Sequence, residues 1–191
     1  KGEHKFFISI QTYKYSSSLS YSFVKGELSR DEEEQIVTDY VIKALAQACE
    51  VQSGNITENL NLTIKTVQAK KPWVQLVDNQ IDFVSSTSRM PELIFPGSFN
   101  PFHSGHSAMS ELAEKKTGLD LAYEICIQNA DKPPLSYHEI EKTLEQFNHG
   151  HDWVLTKAGK FADKTKLFPK LGLSAENLLK VLKLWLVNGT L

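Results

Sequence analysis

Along residues 5–24 hydrophobic and polar side chains alternate with a period of two. Phe6, Ile8 and Ile10 share one face of an extended run, and Leu19, Tyr21 and Phe23 share a face of the next, with Ser18, Ser20 and Ser22 opposite them. Two adjoining runs of this kind predict a β-hairpin. The period then lengthens, and Ile36, Val37, Tyr40, Val41, Ala44, Leu45 and Ala48 recur at helical spacing. Ser29-Arg30-Asp31-Glu32 stands ahead of them as a capping box. The acidic run Asp31 to Glu34 falls in that helix's first turn, where the macrodipole favours negative charge. Helix initiation therefore explains the run without a metal or a partner.

Residues 51–72 are polar and broken by Ser53-Gly54-Asn55 and Lys70-Lys71-Pro72, which predicts a linker. Trp73 to Val84 is read as a second hairpin turning at Asp78-Asn79, and Ser85 to Pro91 as a loop. From Leu93 strands and helices alternate. Leu93-Ile94-Phe95 leads through a glycine-rich turn into a helix whose apolar face is expected to be Ala108, Met109, Leu112 and Ala113, ending at the C-cap signal Thr117-Gly118. Leu121 to Gln128 reads as a strand and Asn129 to Leu135 as a loop. Ser136-Tyr137-His138-Glu139 caps a helix carrying Ile140, Leu144 and Phe147, and Trp153 to Thr156 is a third strand. Such alternation implies right-handed βαβ units and a parallel sheet. Ser174 to Val187 is apolar nearly all round, so a helix there is expected to be buried or to need a partner.

Composition narrows the class. With 41% hydrophobic and 23% charged residues in 191, the chain reads as an ordinary globular protein. A net charge of -2 gives no global bias towards nucleic acid or an acidic membrane, so neither is expected as a partner. No run reaches the length of a membrane span. Cys49 and Cys126 are far apart in apolar contexts, which predicts buried free thiols and a reducing, cytoplasmic setting. The sequons at Asn55, Asn61 and Asn188 matter only on a secretory route, for which Lys1-Gly2-Glu3-His4 gives no signal.

The chemistry concentrates in Gly97-Ser98-Phe99-Asn100-Pro101-Phe102-His103-Ser104-Gly105-His106. A strand, a glycine-rich turn and a helix start in that order place backbone N–H groups where a phosphate can sit. Gly97 is expected to permit a tight turn, and Asn100 is pushed towards extended geometry by Pro101. Gly105 leaves room for a polyphosphate at the helix start. His103 and His106, three apart, fall on one side of the first turn. The pair could contact phosphate, hold a metal or serve structure. No third ligand stands at metal-binding spacing, and catalytic zinc usually needs three, so no metal site is assigned. His149-Gly150-His151-Asp152 is read as a polar turn. Lys157, Lys160, Lys164 and Lys166 form a basic patch after the third strand, near the edge where ligands bind in such sheets. His4 and His138 have no evident partners.

The decapeptide Gly97–His106 resembles the signature of the HxGH nucleotidyltransferase superfamily, in particular nicotinate and nicotinamide mononucleotide adenylyltransferases and their cytidylyltransferase-like relatives. The resemblance continues through Asn129-Ala130-Asp131-Lys132-Pro133-Pro134-Leu135 to Lys164-Thr165-Lys166-Leu167-Phe168-Pro169. More weakly, the hairpin and Gly26-Glu27-Leu28-Ser29-Arg30-Asp31-Glu32-Glu33-Glu34 resemble the end of a CinA-type nicotinamide mononucleotide deamidase domain, without that domain's catalytic serine region. The family's later Gly-Ala-Asp strand end and Ser-Ser/Thr-x-x-Arg loop have no counterpart after Pro169. Ser85-Ser86-Thr87-Ser88-Arg89 echoes that loop but precedes the first strand.

The resemblance implies a two-part α/β protein: a deamidase-like hairpin-helix segment over 1–50, a linker and hairpin over 51–92, an incomplete Rossmann-like nucleotidyltransferase domain over 93–169, and a divergent C-terminal helix over 170–191. It further implies transfer of a nucleotidyl group from ATP or CTP, with Mg²⁺, to a phosphorylated small molecule such as nicotinamide or nicotinate mononucleotide. His103 and His106 would be catalytic. Gly97, Ser98, Phe99, Asn100, Gly105 and Lys132 would bind the nucleotide and its phosphates. The alternative is a non-catalytic nucleotide-binding or interaction module, whose C-terminal helix docks on a partner or a second copy, or replaces missing core.

Overall fold

The computed structural model describes residues 2–52, 54, 56, 61–128, 133–147 and 150–168. In chain order the elements are β1 (Glu3–Gln11), β2 (Tyr15–Val24), α1 (Arg30–Ala48), β3 (Leu62–Gln68), α2 (Lys71–Val77), β4 (Phe83–Ser85), β5 (Leu93–Pro96), α3 (Ser104–Thr117), β6 (Leu121–Cys126), α4 (Tyr137–Glu145), β7 (Asp152–Thr156) and α5 (Phe161–Leu167). The chain divides into two compact units, Lys1–Val74 with Ser136–Glu141, and Gln75–Leu135 with Lys142–Leu191. The expected α/β class, with a parallel-containing sheet and an N-terminal hairpin-helix unit, is what the chain forms.

In the N-terminal unit, β1 and β2 form the expected hairpin, with Phe6 opposite Tyr21 and Ile8 opposite Leu19. Segment 51–72 is not a plain linker: it contributes β3, which pairs antiparallel with β2 and sets Ile64 opposite Leu19. Strand pairing with β2 outweighs the polar look of this run: Thr63 and Lys65 lie on one, solvent-facing side of β3, while Leu62 is buried and Ile64 half-buried on the other. Helix α1 begins as its capping box requires. Ser29 Oγ accepts from Glu32 N–H, and the Glu32 carboxylate accepts from Ser29 N–H at 2.8 Å. Leu19, Ala44 and Leu62 form the core, with Ile8, Ile10, Tyr21, Tyr40 and Ile64 packed on it. The unexplained histidines find partners here: His4 Nδ1 lies 3.2 Å from Glu33, and His138 Nε2 lies 2.9 Å from Lys65 O. Cys49 is exposed rather than buried, because it follows the last turn of α1 as its C-cap.

The C-terminal unit holds a four-stranded sheet in the order β4-β7-β6-β5. Strands β5, β6 and β7 run parallel, and β4 joins β7 antiparallel. The stretch 73–84 is therefore no hairpin; it gives the end of α2 and then β4. Strand β6 is buried on both faces, the mark of a central strand in a covered parallel sheet. Gly118, at φ 71°, stops α3 where the C-cap signal placed its end. Cys126 is free and half-buried.

The expected apolar face of α3 is not its inner face. Met109 and Leu112 are 42% and 38% exposed, while Ser110 is 4% exposed. The tyrosine of β6 decides this orientation: Ser110 Oγ donates to Ser107 O and lies 2.5 Å from the Tyr123 hydroxyl. A buried phenol needs a hydrogen-bond partner, and on this helix Ser110 supplies it.

Across the other face of the sheet, α5 carries a cation into the core. Lys164 Nζ lies 2.7 Å from both carboxylate oxygens of Glu124, and the Thr156 hydroxyl donates to the same carboxylate. Glu124 is 1% exposed and Lys164 6%. The predicted C-terminal helix at 174–187 lies outside the described residues.

Candidate functional site

The parallel strands β5, β6 and β7 end together at Pro96, Cys126 and Thr156, and the motif Gly97–His106 leaves from that edge. Gly97 N–H donates to Glu124 O at 3.0 Å, continuing the ladder one residue past β5. The glycine is required by a close approach. A Cβ on Gly97 would sit 2.6 Å from the Phe99 ring, far inside van der Waals contact. The unusual backbone lies two residues on, at Phe99, where φ is 45°. This left-handed residue turns its ring back over Gly97 and inwards, leaving Ser98 and Asn100 exposed.

Phe99, 2% exposed, sits at the centre of an aromatic cluster. Its ring meets Phe95 at 5.7 Å, Tyr123 at 5.2 Å, Phe147 at 5.6 Å and His106 at 5.1 Å, edge to face in each case. Phe102 stacks on His106 at 5.4 Å and also meets His151 at 5.3 Å. His151 thus joins an aromatic wall, and its neighbour His149 lies outside the described residues. Burial holds the Tyr123 hydroxyl above its ordinary range, against a smaller opposing effect of the Ser110 hydrogen bond, so it remains a phenol.

His103 and His106 are brought together. Their rings stack with centroids 3.7 Å apart, and His103 N–H donates to His106 Nδ1 at 3.2 Å. His103 is the extended N-cap of α3, so the second imidazole reaches back to cap the first histidine's own amide. An Nδ1 that accepts cannot carry a proton, which places the proton of neutral His106 on Nε2. Burial holds the His106 imidazole below its ordinary range, and His103 adds to that shift, both favouring the neutral ring. His106 N–H donates to His103 O, so the amides of Ser104 and Gly105 lie ahead of the helical ladder. Gly105 also has a steric reason: a Cβ there would lie 3.1 Å from the His103 ring.

The remaining expected residues divide. Ser98, Asn100 and Gly105 are exposed around the two rings, whereas the Phe99 side chain is core. Lys132 lies outside the described residues. The basic patch is largely committed elsewhere. Lys164 is in the buried ion pair, and Lys157 Nζ donates to Val77 O and Asn79 Oδ1, each at 2.7 Å. A cavity of about 260 Å³ lies beside the starts of β6 and β7, lined by Glu111, Glu114, Asp120, His151 and Asp152. Its carboxylates would repel a phosphate, so it is not the anion site.

Gln146 carries no motif in the sequence, yet its side chain touches the motif twice. Nε2 donates to Phe99 O at 2.9 Å and Oε1 accepts from Phe102 N–H at 2.7 Å. Its only sequence signal is a polar residue beside the apolar run Leu144 and Phe147.

Strand, turn, histidine-capped helix and parallel sheet edge are one unit. Residues 94–182 match the family model for cytidylyltransferase-like domains. The match supports the nucleotidyltransferase superfamily and a nucleotide-handling function of that type for this part of the chain. The cytidylyltransferase-like match starts inside β5 and runs past Pro169, where the resemblance read from motifs stops. No curated protein and no solved structure matches the chain. Among the described residues no helix is long and apolar enough to cross a membrane.

Proposed function

We propose that the cytidylyltransferase-like domain transfers a nucleotidyl group from ATP or CTP to a phosphate oxygen of a small phosphorylated acceptor, with nicotinamide or nicotinate mononucleotide as the acceptors to test first. The observation that carries this reading is the histidine-capped start of α3 at the edge where β5, β6 and β7 end. Helix N-termini at such edges offer backbone donors and a favourable dipole to anions.

In the proposed reaction an acceptor phosphate oxygen forms a bond to the α-phosphorus. The bond from that phosphorus to the bridging β-oxygen breaks, and its electron pair leaves with pyrophosphate. The protein needs to position the two phosphates and stabilise charge on the phosphoryl oxygens. His106, neutral with its proton on Nε2, donates to an α-phosphate oxygen. His103 and the amides of Ser104 and Gly105 hold the departing phosphates. Ser98 Oγ and the Phe99 backbone amide hold the remaining oxygens, Asn100 lines the nucleotide's approach, and Lys132 neutralises phosphate charge.

The expected Mg²⁺ is part of this proposal only as a companion of the triphosphate. Among the described residues no three His, Cys, Asp or Glu side chains are grouped to hold a metal ion. The ion would therefore be carried by phosphate oxygens and water, the usual manner for Mg²⁺ with nucleotides, where it neutralises phosphate charge. On the same reading residues 1–50 are the closing part of a deamidase-like unit, with no deamidation assigned to them, and the domain works in the cytoplasm.

The test is pyrophosphate release by the full chain with ATP or CTP, Mg²⁺ and nicotinamide mononucleotide, compared with His106→Ala. Release by the wild type, lost in a folded His106→Ala protein, supports the reading. Triphosphate binding with no release for any acceptor favours the non-catalytic nucleotide-binding module instead.

A further inference from the structure

Gln146, just beyond the end of α4, is bonded to the motif loop on both sides of Asn100-Pro101: at Phe99 O through Nε2 and at Phe102 N–H through Oε1. A primary amide presents a donor and an acceptor side by side in this way without any change of protonation. Phe147, the next residue, packs on the same two residues, 5.6 Å from Phe99 and 5.2 Å from Phe102. Those rings are in turn neighbours of the His106 imidazole, at 5.1 Å and 5.4 Å. Residues 44 and 47 positions apart are thereby locked to one loop.

We infer that Gln146 is a positioning residue for His106: its amide clasps the loop between Phe99 and Phe102, and the two phenyl rings hold the imidazole in the orientation in which Nδ1 caps α3 and Nε2–H faces the phosphate. The inference rests on the role given to His106 above. A purely local role for Gln146 at the end of α4 would use its third contact, to Thr143 O at 3.3 Å, which is longer than either bond to the loop.

The test uses the full chain without nucleotide, with isotope-labelled histidine and His106→Gln to assign the signals. Gln146→Met keeps length and packing and removes both bonds. In the wild type the His106 ring is expected as the single tautomer protonated on Nε2, titrating below an ordinary imidazole. In Gln146→Met the ring is expected to become a mixture of tautomers and to titrate closer to a free imidazole, because the two rings no longer enclose it. Pyrophosphate release is expected to fall about a hundredfold in kcat/KM, through kcat, as for a misplacement of about 1 Å. If Gln146→Met does not fold, Gln146→Glu, which keeps the bond from Phe102 N–H and loses the one to Phe99 O, provides the same tautomer readout. A folded variant with the wild-type tautomer and titration overturns the inference, and so does failure of both variants to fold, which would make Gln146 a folding residue. Absence of pyrophosphate release by the wild type counts against the proposed reaction, while the histidine signals still decide the role of Gln146.

Discussion

Lys164→Met removes one partner of an ion pair that the fold has taken almost wholly out of water. Glu124 is 1% exposed and Lys164 6%, and the ammonium meets both carboxylate oxygens at 2.7 Å. After the change the Glu124 carboxylate keeps only the Thr156 hydroxyl among these partners. Breaking a buried pair from one side typically costs about 3–5 kcal/mol, since a buried charge is left uncompensated. Set against a whole-protein stability of about 5–15 kcal/mol, that is a large fraction. For a chain of this size it corresponds to a fall in Tm of about 6–20 °C. The pair also ties α5 to β6 and β7, and Thr156 Oγ accepts from Ala158 N–H at 3.2 Å, so the turn after β7 should loosen with it. Thermal and urea unfolding followed by circular dichroism measures the loss, and amide exchange in β6 and β7 locates it. The double variant Glu124→Gln with Lys164→Met, which buries no charge, should recover most of the stability. A cost below about 1 kcal/mol for Lys164→Met, the range of an exposed pair, would show that the pair is not held out of water.

Gly97→Ala places a methyl 2.6 Å from the Phe99 ring, so the ring must shift inside a cluster closed by Phe95, Tyr123 and Phe147. Overpacking of this kind costs about 1–3 kcal/mol, readable as a lowered urea midpoint with weakened triphosphate binding. Ser110→Ala leaves the buried Tyr123 hydroxyl without its 2.5 Å partner and should cost about 1–3 kcal/mol in the same titration. For His106, whose folded-state pKa lies below the ordinary imidazole value, the folded form binds the proton less readily than the unfolded chain. Its contribution to stability is therefore intact above the ordinary value of about 6.5 and is lost as pH falls through the folded value. Unfolding measured from about pH 8 to pH 5 should show a shallower acid loss in His106→Gln than in the wild type.

Much of the local structure was legible because its causes are local. The capping box at Ser29, the Ser136–Glu139 pair and the C-cap at Gly118 each need only residues within one turn, and all three appear as read. The hairpin register follows from period-two alternation, and His103 and His106 meet because a helix start brings positions three apart together. At Gly97 the constraint is the Phe99 ring lying over it rather than its own backbone angles, which spacing alone does not show.

The hairpin, the capped helices, the βαβ order and the motif at the end of β5 follow from spacing over a few residues. Long-range packing settles the strand at 62–68, the inward face of α3 and the burial of its polar partners. Segment 62–68 is a strand because β2 offers a pairing edge, and α3 turns Ser110 inwards because the Tyr123 hydroxyl must be satisfied. Lys164 left the surface because Glu124 and Thr156 await it 40 and 8 residues away, and Gln146 reaches the motif from just beyond α4. Those choices depend on partners distant in sequence, where the cost of an unpaired buried polar group outweighs local pattern.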